Sequence, residues 1–220
     1  MRASALLIPL AVVVAACGGD TAVEESVGFG PGAESPQDAV NELVEHLDRA
    51  EFKEASDLSV PGHAALASLA EGASFLDVAA AIRQEDTSVA ANFWAGFAQG
   101  SATFLSGDVA TADGEAVVQD SLELQSVPVI ADDGAQRTMF TQEVDGWRID
   151  VFASFGGGLA GRMIAPAERL LVTETDDAAL ILQELRAVVP SLLVAAVSPD
   201  LPPQLSQDVL RLIEVISRSS

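Results

Sequence analysis

The sequence predicts an α+β protein in which helices come first, a four-strand antiparallel meander follows, and a helical extension ends the chain. Three observations support this order. Apolar residues recur at helical spacing between residues 36 and 100. Beyond residue 101, Asp-Gly turns separate segments rich in Val, Leu, Phe and Ile, which is typical of consecutive hairpins. Helical spacing returns after the run Gly156-Gly157-Gly158.

Residues 1–16 have the layout of a secretory signal peptide. Arg2 gives a basic start, and an apolar stretch then runs from Ala5 to Ala16. A helix needs roughly 20 apolar residues to cross the hydrocarbon core of a membrane, and this stretch is shorter. We therefore expect a cleaved signal and export across the cytoplasmic membrane.

The segment Val14-Ala15-Ala16-Cys17 resembles the lipobox of bacterial lipoproteins. The resemblance implies that the Cys17 thiol carries a diacylglyceryl group with fatty acyl chains such as palmitate, and that the signal is cut just before it. Cys17 is the single cysteine of the chain, so an intramolecular disulfide is excluded. We expect a lipid anchor on the extracytoplasmic face of the cell membrane, with residues 17–34 as lipidated cysteine and flexible tether. The alternative is an ordinary signal peptide with an incidental cysteine.

The helical first half begins at Ser35-Pro36-Gln37-Asp38. This segment places Ser at the N-cap, Pro at the first helical position and an acid three residues after the cap. A short second helical segment ends at the Pro61-Gly62 turn. Residues 63–100 read as further helical pieces, one of them capped by the segment Ser74 to Asp77 and the last ended by Gly100.

The predicted sheet has four strands. Its turns are Asp113-Gly114, Asp132-Asp133-Gly134 and Asp145-Gly146, and Pro128 places a bulge or an edge in the second strand. The strands lie near residues 107–111, 115–130, 136–144 and 147–155. Gly156-Gly157-Gly158 then breaks the sheet, so we expect a domain over residues 35–155 and a helical extension over 156–220.

The extension contains two predicted helices. Thr175 or Asp176 caps the first, which is kinked or ended near Pro190, and the second starts near Pro203. The apolar run from Ala187 to Val197 is too short for a membrane span.

Three short motifs are similar to those of small secreted bacterial proteins of the NTF2-like superfamily. They are Ser35-Pro36 followed by Ala39-Val40, the segment Glu51-Phe52-Lys53-Glu54-Ala55, and the closing segment Asp145 to Asp150. The resemblance implies that the sheet of residues 35–155 curls around helices into a cone, whereas residues 156–220 have no counterpart. The superfamily contains both enzymes and non-catalytic binding modules, so the fold does not select an activity.

The charge of the chain limits its partners. With 33 acidic and 11 basic residues the formal net charge is −22, which excludes a general affinity for nucleic acid. Apart from the membrane reached through the lipid, we expect partners that are neutral, basic or metal-bearing. The simpler interpretation is a solvated acidic surface that keeps an exported protein soluble.

The sequence offers little acid/base chemistry. It contains no tyrosine, and we expect both histidines, His46 and His63, at the surface or at its boundary. Asp150 is the best carboxylate candidate, because burial beside Phe152 would raise its pKa and make it a base. The alternative is an exposed Asp150 paired with Arg148. Asp132-Asp133 and Asp176-Asp177 fit turns and caps better than calcium loops. We therefore predict no catalytic residue, metal site or cofactor.

Four aromatic residues, Phe93, Trp94, Phe97 and Trp147, are candidates for the lining of a ligand cavity, or else belong to the core. Three functions follow in order of preference. The first is non-catalytic binding of a cell-envelope protein or a small molecule. The second is a carrier or sensor of an apolar, lipid-like ligand. The third is an NTF2-like acid/base enzyme that uses Asp150.

Overall fold

The computed structural model describes residues 30–101, 109–131 and 134–218, and over these ranges the protein has the predicted α+β architecture. Helices precede and follow one antiparallel sheet. The helices are α1 Pro36–Asp48, α2 Phe52–Asp57, α3 His63–Ala67, α4 Phe75–Ile82, α5 Ser88–Ser101, α6 Val151–Leu170, α7 Asp176–Ala187, α8 Val189–Ala196 and α9 Pro203–Ser217, with a 3-10 turn at Ser68–Glu71. The strands are β1 Ala110–Thr111, β2 Ala116–Gln119, β3 Leu122–Ile130, β4 Gln136–Glu143 and β5 Trp147–Ile149.

Helix α1 begins where the capping pattern predicted it. The backbone N–H of Asp38 donates to Ser35 Oγ over 3.1 Å, and Pro36 occupies the first turn, where its missing N–H costs nothing. The face that carries Val40 and Leu43 is buried in the core. Ser74 caps α4 in the same way, as predicted.

The sheet is a curled antiparallel meander, as predicted, and is consistent with the cone architecture. Strand β4 pairs with β3 on one side and β5 on the other, while β1 and β2 both pair with β3 along one edge. Since β1 and β2 lie end to end along β3, they act as one interrupted first strand. The sheet thus has four rows.

The predicted second strand, residues 115–130, is wrong in its extent, because the chain turns at Asp120-Ser121 within it. Asp120 has a left-handed backbone with φ of 54°. The predicted Asp113-Gly114 turn is instead the interruption between β1 and β2, where Ala112 N–H donates to the Pro128 carbonyl. A Cβ on Gly114 would overlap the Ser126 carbonyl oxygen, so only glycine allows this approach. Pro128, where a bulge or an edge was expected, lies within the continuous strand β3 and pairs with Thr138 of β4.

The predicted fourth strand, residues 147–155, ends at Ile149, and α6 starts at Val151. Gly156, Gly157 and Gly158 lie inside this helix and do not break it. A Cβ on Gly156 would lie 3.1 Å from a methyl of Leu192, so the absence of side chains lets α8 pack closely on α6. The boundary predicted between residues 155 and 156 falls within α6.

The outer edge of β5 is covered by chain segments from the helical half. Ala33 and Trp147 exchange two backbone hydrogen bonds of 2.9 Å, and Leu58 and Val60 bond to Ile149. Arg148 is buried beside this edge. Its guanidinium donates to the carbonyl oxygens of Gly30 and Asp57, and Nε donates to Val144 over 2.9 Å. The edge is therefore closed to pairing with another strand.

One large apolar core joins the N-terminal helices, the sheet and the C-terminal helices. It contains Leu43, Val127, Met163 and Leu212, which come from α1, β3, α6 and α9. The extension is therefore packed on the body as predicted. Among the described residues no single helix is long and apolar enough to cross a membrane, although the bent pair α7 and α8 passes by length and composition.

Candidate ligand cavity and the buried Asp150 cluster

A cavity of about 430 Å³ opens between α5, β4, α6 and residues 201–205, a segment that leads from α8 into the first turn of α9. Its apolar lining is contributed by residues from all of these parts: Phe97, Met139, Phe155, Leu159, Leu201 and Leu205. Ligand sites are typically concave, mostly apolar and about 300 to 1,000 Å³ in volume. The cavity meets these criteria.

Glycines contribute to the space in this cavity. Gly158 on α6 and Gly100 on α5 both line it, and a Cβ at either position would meet no atom within 4 Å. At the adjacent Gly157, a Cβ would instead overlap the side chain of Leu201. Two glycines of the predicted sheet breaker, Gly157 and Gly158, thus form part of a cavity wall.

The polar part of the lining consists of Thr138, Ser154 and two arginines. Ser154 Oγ accepts a hydrogen bond of 2.9 Å from Phe140 N–H and donates to the Phe140 carbonyl, which ties α6 to β4. Arg137 and Arg162 are both exposed. Arg162 Nη1 donates to Glu71 Oε1 over 2.5 Å.

The structure separates the four aromatic residues predicted to line a cavity. Phe97 lines the cavity, with its ring centroid 4.7 Å from that of Phe155. Phe93 and Trp94 are 1% and 0% exposed and belong to the core, where their rings contact the ring of Phe97. Trp147 lies in β5 beside Ala33. Thus only Phe97 is shared between the predicted set and the lining of this cavity.

Asp150 forms the centre of a buried polar cluster. It is the N-cap of α6, and its Oδ1 accepts hydrogen bonds from Phe152 and Ala153 N–H at 3.0 and 2.9 Å. Oδ2 accepts a hydrogen bond of 2.6 Å from the Ser191 hydroxyl of α8. The side chain is fully buried, so the alternative of an exposed Asp150 paired with Arg148 is wrong.

His63 is the third member of this cluster. Contrary to the predicted surface position, it is only 8% exposed, because it opens α3 with its ring edge-on to Phe152. Its Nδ1 lies 3.4 Å from Asp150 Oδ1, yet it forms no hydrogen bond among the described residues. The contact is therefore better described as electrostatic than as a hydrogen bond.

The pKa of Asp150 is lowered, which is the opposite of the predicted shift. Burial is the largest single influence and raises the pKa. Proximity to His63 and the hydrogen bonds from Ser191 and Ala153 lower the pKa, and together they outweigh burial. A catalytic base with a raised pKa is thus not what this environment produces. In a Ser-His-Asp triad the histidine lies between the other two residues, whereas here the carboxylate is central. The cluster joins α3, α6 and α8.

Asp176 and Asp177 lie in the first turn of α7. Asp177 forms an ion pair of 2.6 Å with Arg83, and Thr175 caps α7 by accepting a hydrogen bond from Ala178 N–H. In residues 30–101, 109–131 and 134–218, no group of three or more His, Cys, Asp or Glu side chains could hold a metal. Cys17 and Asp132-Asp133 lie outside the described residues.

Sequence reasoning did not find Ser191, Gly158 or the two arginines of the lining. Ser191 is the single polar side chain in the run from Val188 to Ala196, which is a usable signal of a buried hydrogen bond. The other residues meet only through tertiary packing. No protein-family model, curated protein or solved structure matched the chain.

Proposed function

We propose that this protein is a lipid-anchored, non-catalytic binding protein of the extracytoplasmic membrane face that takes a small apolar molecule into the cavity beside α6. The observation that carries the proposal is the cavity itself. It is of ligand size, its lining is mainly apolar, and a few polar groups lie among the apolar ones, as in small-molecule sites generally.

Binding is better supported than acid/base catalysis at Asp150. This carboxylate does not line the 430 Å³ cavity, and both of its oxygens are engaged by groups of the protein itself. A general base must reach the proton it removes, directly or through one water. Asp150 is thus better explained as a structural group.

A small molecule is also favoured over a protein partner. Binding sites for proteins are commonly flat and exceed 1,000 Å² of total buried surface, whereas the feature that distinguishes this surface is a concave space. Proposed anchoring through Cys17 would hold the cavity close to the membrane, where apolar molecules are concentrated.

A cavity-filling variant tests the proposed site. Gly158→Leu would place a large side chain into the open space, while Gly96→Leu on α5 adds the same side chain at a position with no neighbour within 4 Å and outside this lining. The probe is the neutral dye N-phenyl-1-naphthylamine, followed by fluorescence. We expect saturable binding by the wild type and by Gly96→Leu, and at least a tenfold weaker affinity for Gly158→Leu.

Both substitutions remove a helical glycine, so neither should lower the thermal midpoint of unfolding through helix propensity. Equal dye binding by all three proteins would place the dye elsewhere and contradict the assignment of this cavity. The protein used is residues 17–220 produced without the signal, which contains every residue that the structure describes.

Anchoring through Cys17 is tested separately with the full chain. Expressed in a bacterium fed labelled palmitate, the wild type should carry label and partition into detergent, and Cys17→Ala should do neither. A Cys17→Ala chain that is still labelled and membrane-bound would show that the anchor has been misassigned.

A further inference from the structure

We infer that the ligand of this cavity is an amphiphile with one apolar chain and an anionic head, a carboxylate or a phosphate. This inference rests on the proposed function and specifies its ligand class. The charge at the lining supports the anion, and the size and composition of the cavity support the single chain.

The charge of the lining is opposite to that of the protein. The whole chain has three times as many acidic as basic residues, 33 against 11. The fourteen residues that line the cavity nevertheless include Arg137 and Arg162 and no Asp or Glu. In a protein whose overall field repels anions, a cationic lining is a local feature that favours a negatively charged group.

The two arginines belong to different elements of the fold. Arg137 lies in β4 and Arg162 in α6, so two of the four parts that form the cavity walls supply a guanidinium. Both residues also interact within the protein, and Arg162 pairs with Glu71. The Arg162 and Glu71 side chains are about half exposed, and a guanidinium carries five N–H donors, so one interaction leaves donors for a ligand. Its planar arrangement suits the paired oxygens of carboxylate and phosphate.

The apolar part of the lining indicates what kind of apolar chain the ligand carries. Aromatic and aliphatic side chains from α5, β4, α6 and the α8–α9 segment surround the space, including Phe97, Met139 and Leu205. At about 30 Å³ for each water-sized group, 430 Å³ accommodates roughly 14 groups. This is room for one chain of medium length.

The test is displacement of N-phenyl-1-naphthylamine from residues 17–220 by four amphiphiles with the same chain. Laurate and dodecyl phosphate carry the anionic heads, dodecanol is neutral and dodecyltrimethylammonium is cationic; all are used below their micellar concentrations. We expect the anions to displace the dye at concentrations at least tenfold lower than dodecanol, and the cation to be the weakest. The ratio of laurate to dodecyl phosphate distinguishes a fatty acid from a single-chain phospholipid as the source.

Three variants test whether the anionic head of the ligand binds at the two arginines of the lining. Arg137→Gln and Arg162→Gln should each weaken displacement by the preferred anion by threefold or more, while dye and dodecanol binding stay at wild-type values. Arg211→Gln, which removes an exposed arginine of α9 outside this lining, is the matched control and should change nothing.

Equal displacement by dodecanol and the anions would overturn the anionic head and leave the proposed cavity function standing. Arginine variants that lose dye, dodecanol and anion binding together would also overturn it, since the arginines would then act through the fold. A wild type that binds no dye and no amphiphile would reject the proposed function itself, and this inference with it.

Discussion

At the scale of single residues, Asp150 connects three helices through four contacts. Its oxygens accept two backbone N–H groups at the start of α6 and the Ser191 hydroxyl of α8, and they face His63 of α3. Each donor is buried, so removal of the carboxylate leaves several polar groups without a partner in a region from which water is excluded. Asp150 therefore has a large structural role irrespective of ligand binding.

Asp150→Ala should lower the free energy of unfolding by about 3 to 5 kcal/mol, the range for breaking a buried, hydrogen-bonded charge. Ser74→Ala removes the N-cap of α4 at the surface and should cost only about 1 kcal/mol. Urea unfolding measures both. If the two variants lose similar stability, the buried cluster does not have the role described.

The lowered pKa of Asp150 also predicts a dependence on pH. Because the pKa in the folded protein lies below the ordinary 3.8, the contribution of the ionised carboxylate is fully present above that value and is lost as the pH falls through the folded pKa. The stability difference between wild type and Asp150→Asn should therefore shrink below about pH 4. A difference that widens steadily below pH 4 would contradict the direction of the shift.

At the scale of elements, the sequence predicted those features that depend on local pattern. The Ser35 cap, the helical first half and the antiparallel order of strands follow from capping, periodicity and turn residues, and the structure has them. The end of β5 was not predictable in the same way. The residues from Val151 to Phe155 suit a strand by composition. They become helix because Asp150 caps them and because Gly156, next along the chain, lets α8 pack on the same helix.

The cavity could not be predicted from the sequence, because its walls come together only in the folded protein. Phe97 and Leu205 are separated by more than a hundred residues, yet they line the same space. The aromatic set in the sequence did include Phe97, but spacing along α5 does not distinguish a residue on the cavity side from Phe93 and Trp94 on the core side.

Gly114 provides a test of the sheet edge. Gly114→Ala would drive a methyl group into the Ser126 carbonyl of β3, so we expect a loss of about 1 to 3 kcal/mol, as for overpacking, and faster hydrogen exchange at β2. Gly96→Ala adds a methyl to open space in α5 and should raise stability by up to about 1 kcal/mol. Unchanged stability and exchange in Gly114→Ala would show that β1 and β2 are not held as described.

At the scale of the whole molecule, the C-terminal helices share one core with the rest of the protein. Leu212 of α9 is fully buried in this core, whereas Leu210 on the same helix is half exposed. Leu212→Ala should therefore cost about 2 to 5 kcal/mol and Leu210→Ala less than about 0.5 kcal/mol.

The same pair tests whether the molecule unfolds as a unit. Trp94 in α5 and Trp147 in β5 report by fluorescence on the first half and the sheet, and far-UV circular dichroism reports on all helices. In Leu212→Ala the unfolding transitions followed by fluorescence and by circular dichroism should have the same midpoint, lower than that of the wild type. Fluorescence that keeps the wild-type midpoint while helicity is lost earlier would show an independent extension.

The proposed ligand cavity is tested most directly by native mass spectrometry of the full chain purified from the bacterium that produces it. We expect one additional small amphiphile per chain in the wild type and in Gly96→Leu, released on denaturation, and none in Gly158→Leu. A wild-type chain that carries no ligand, or equal occupancy in all three proteins, would contradict it.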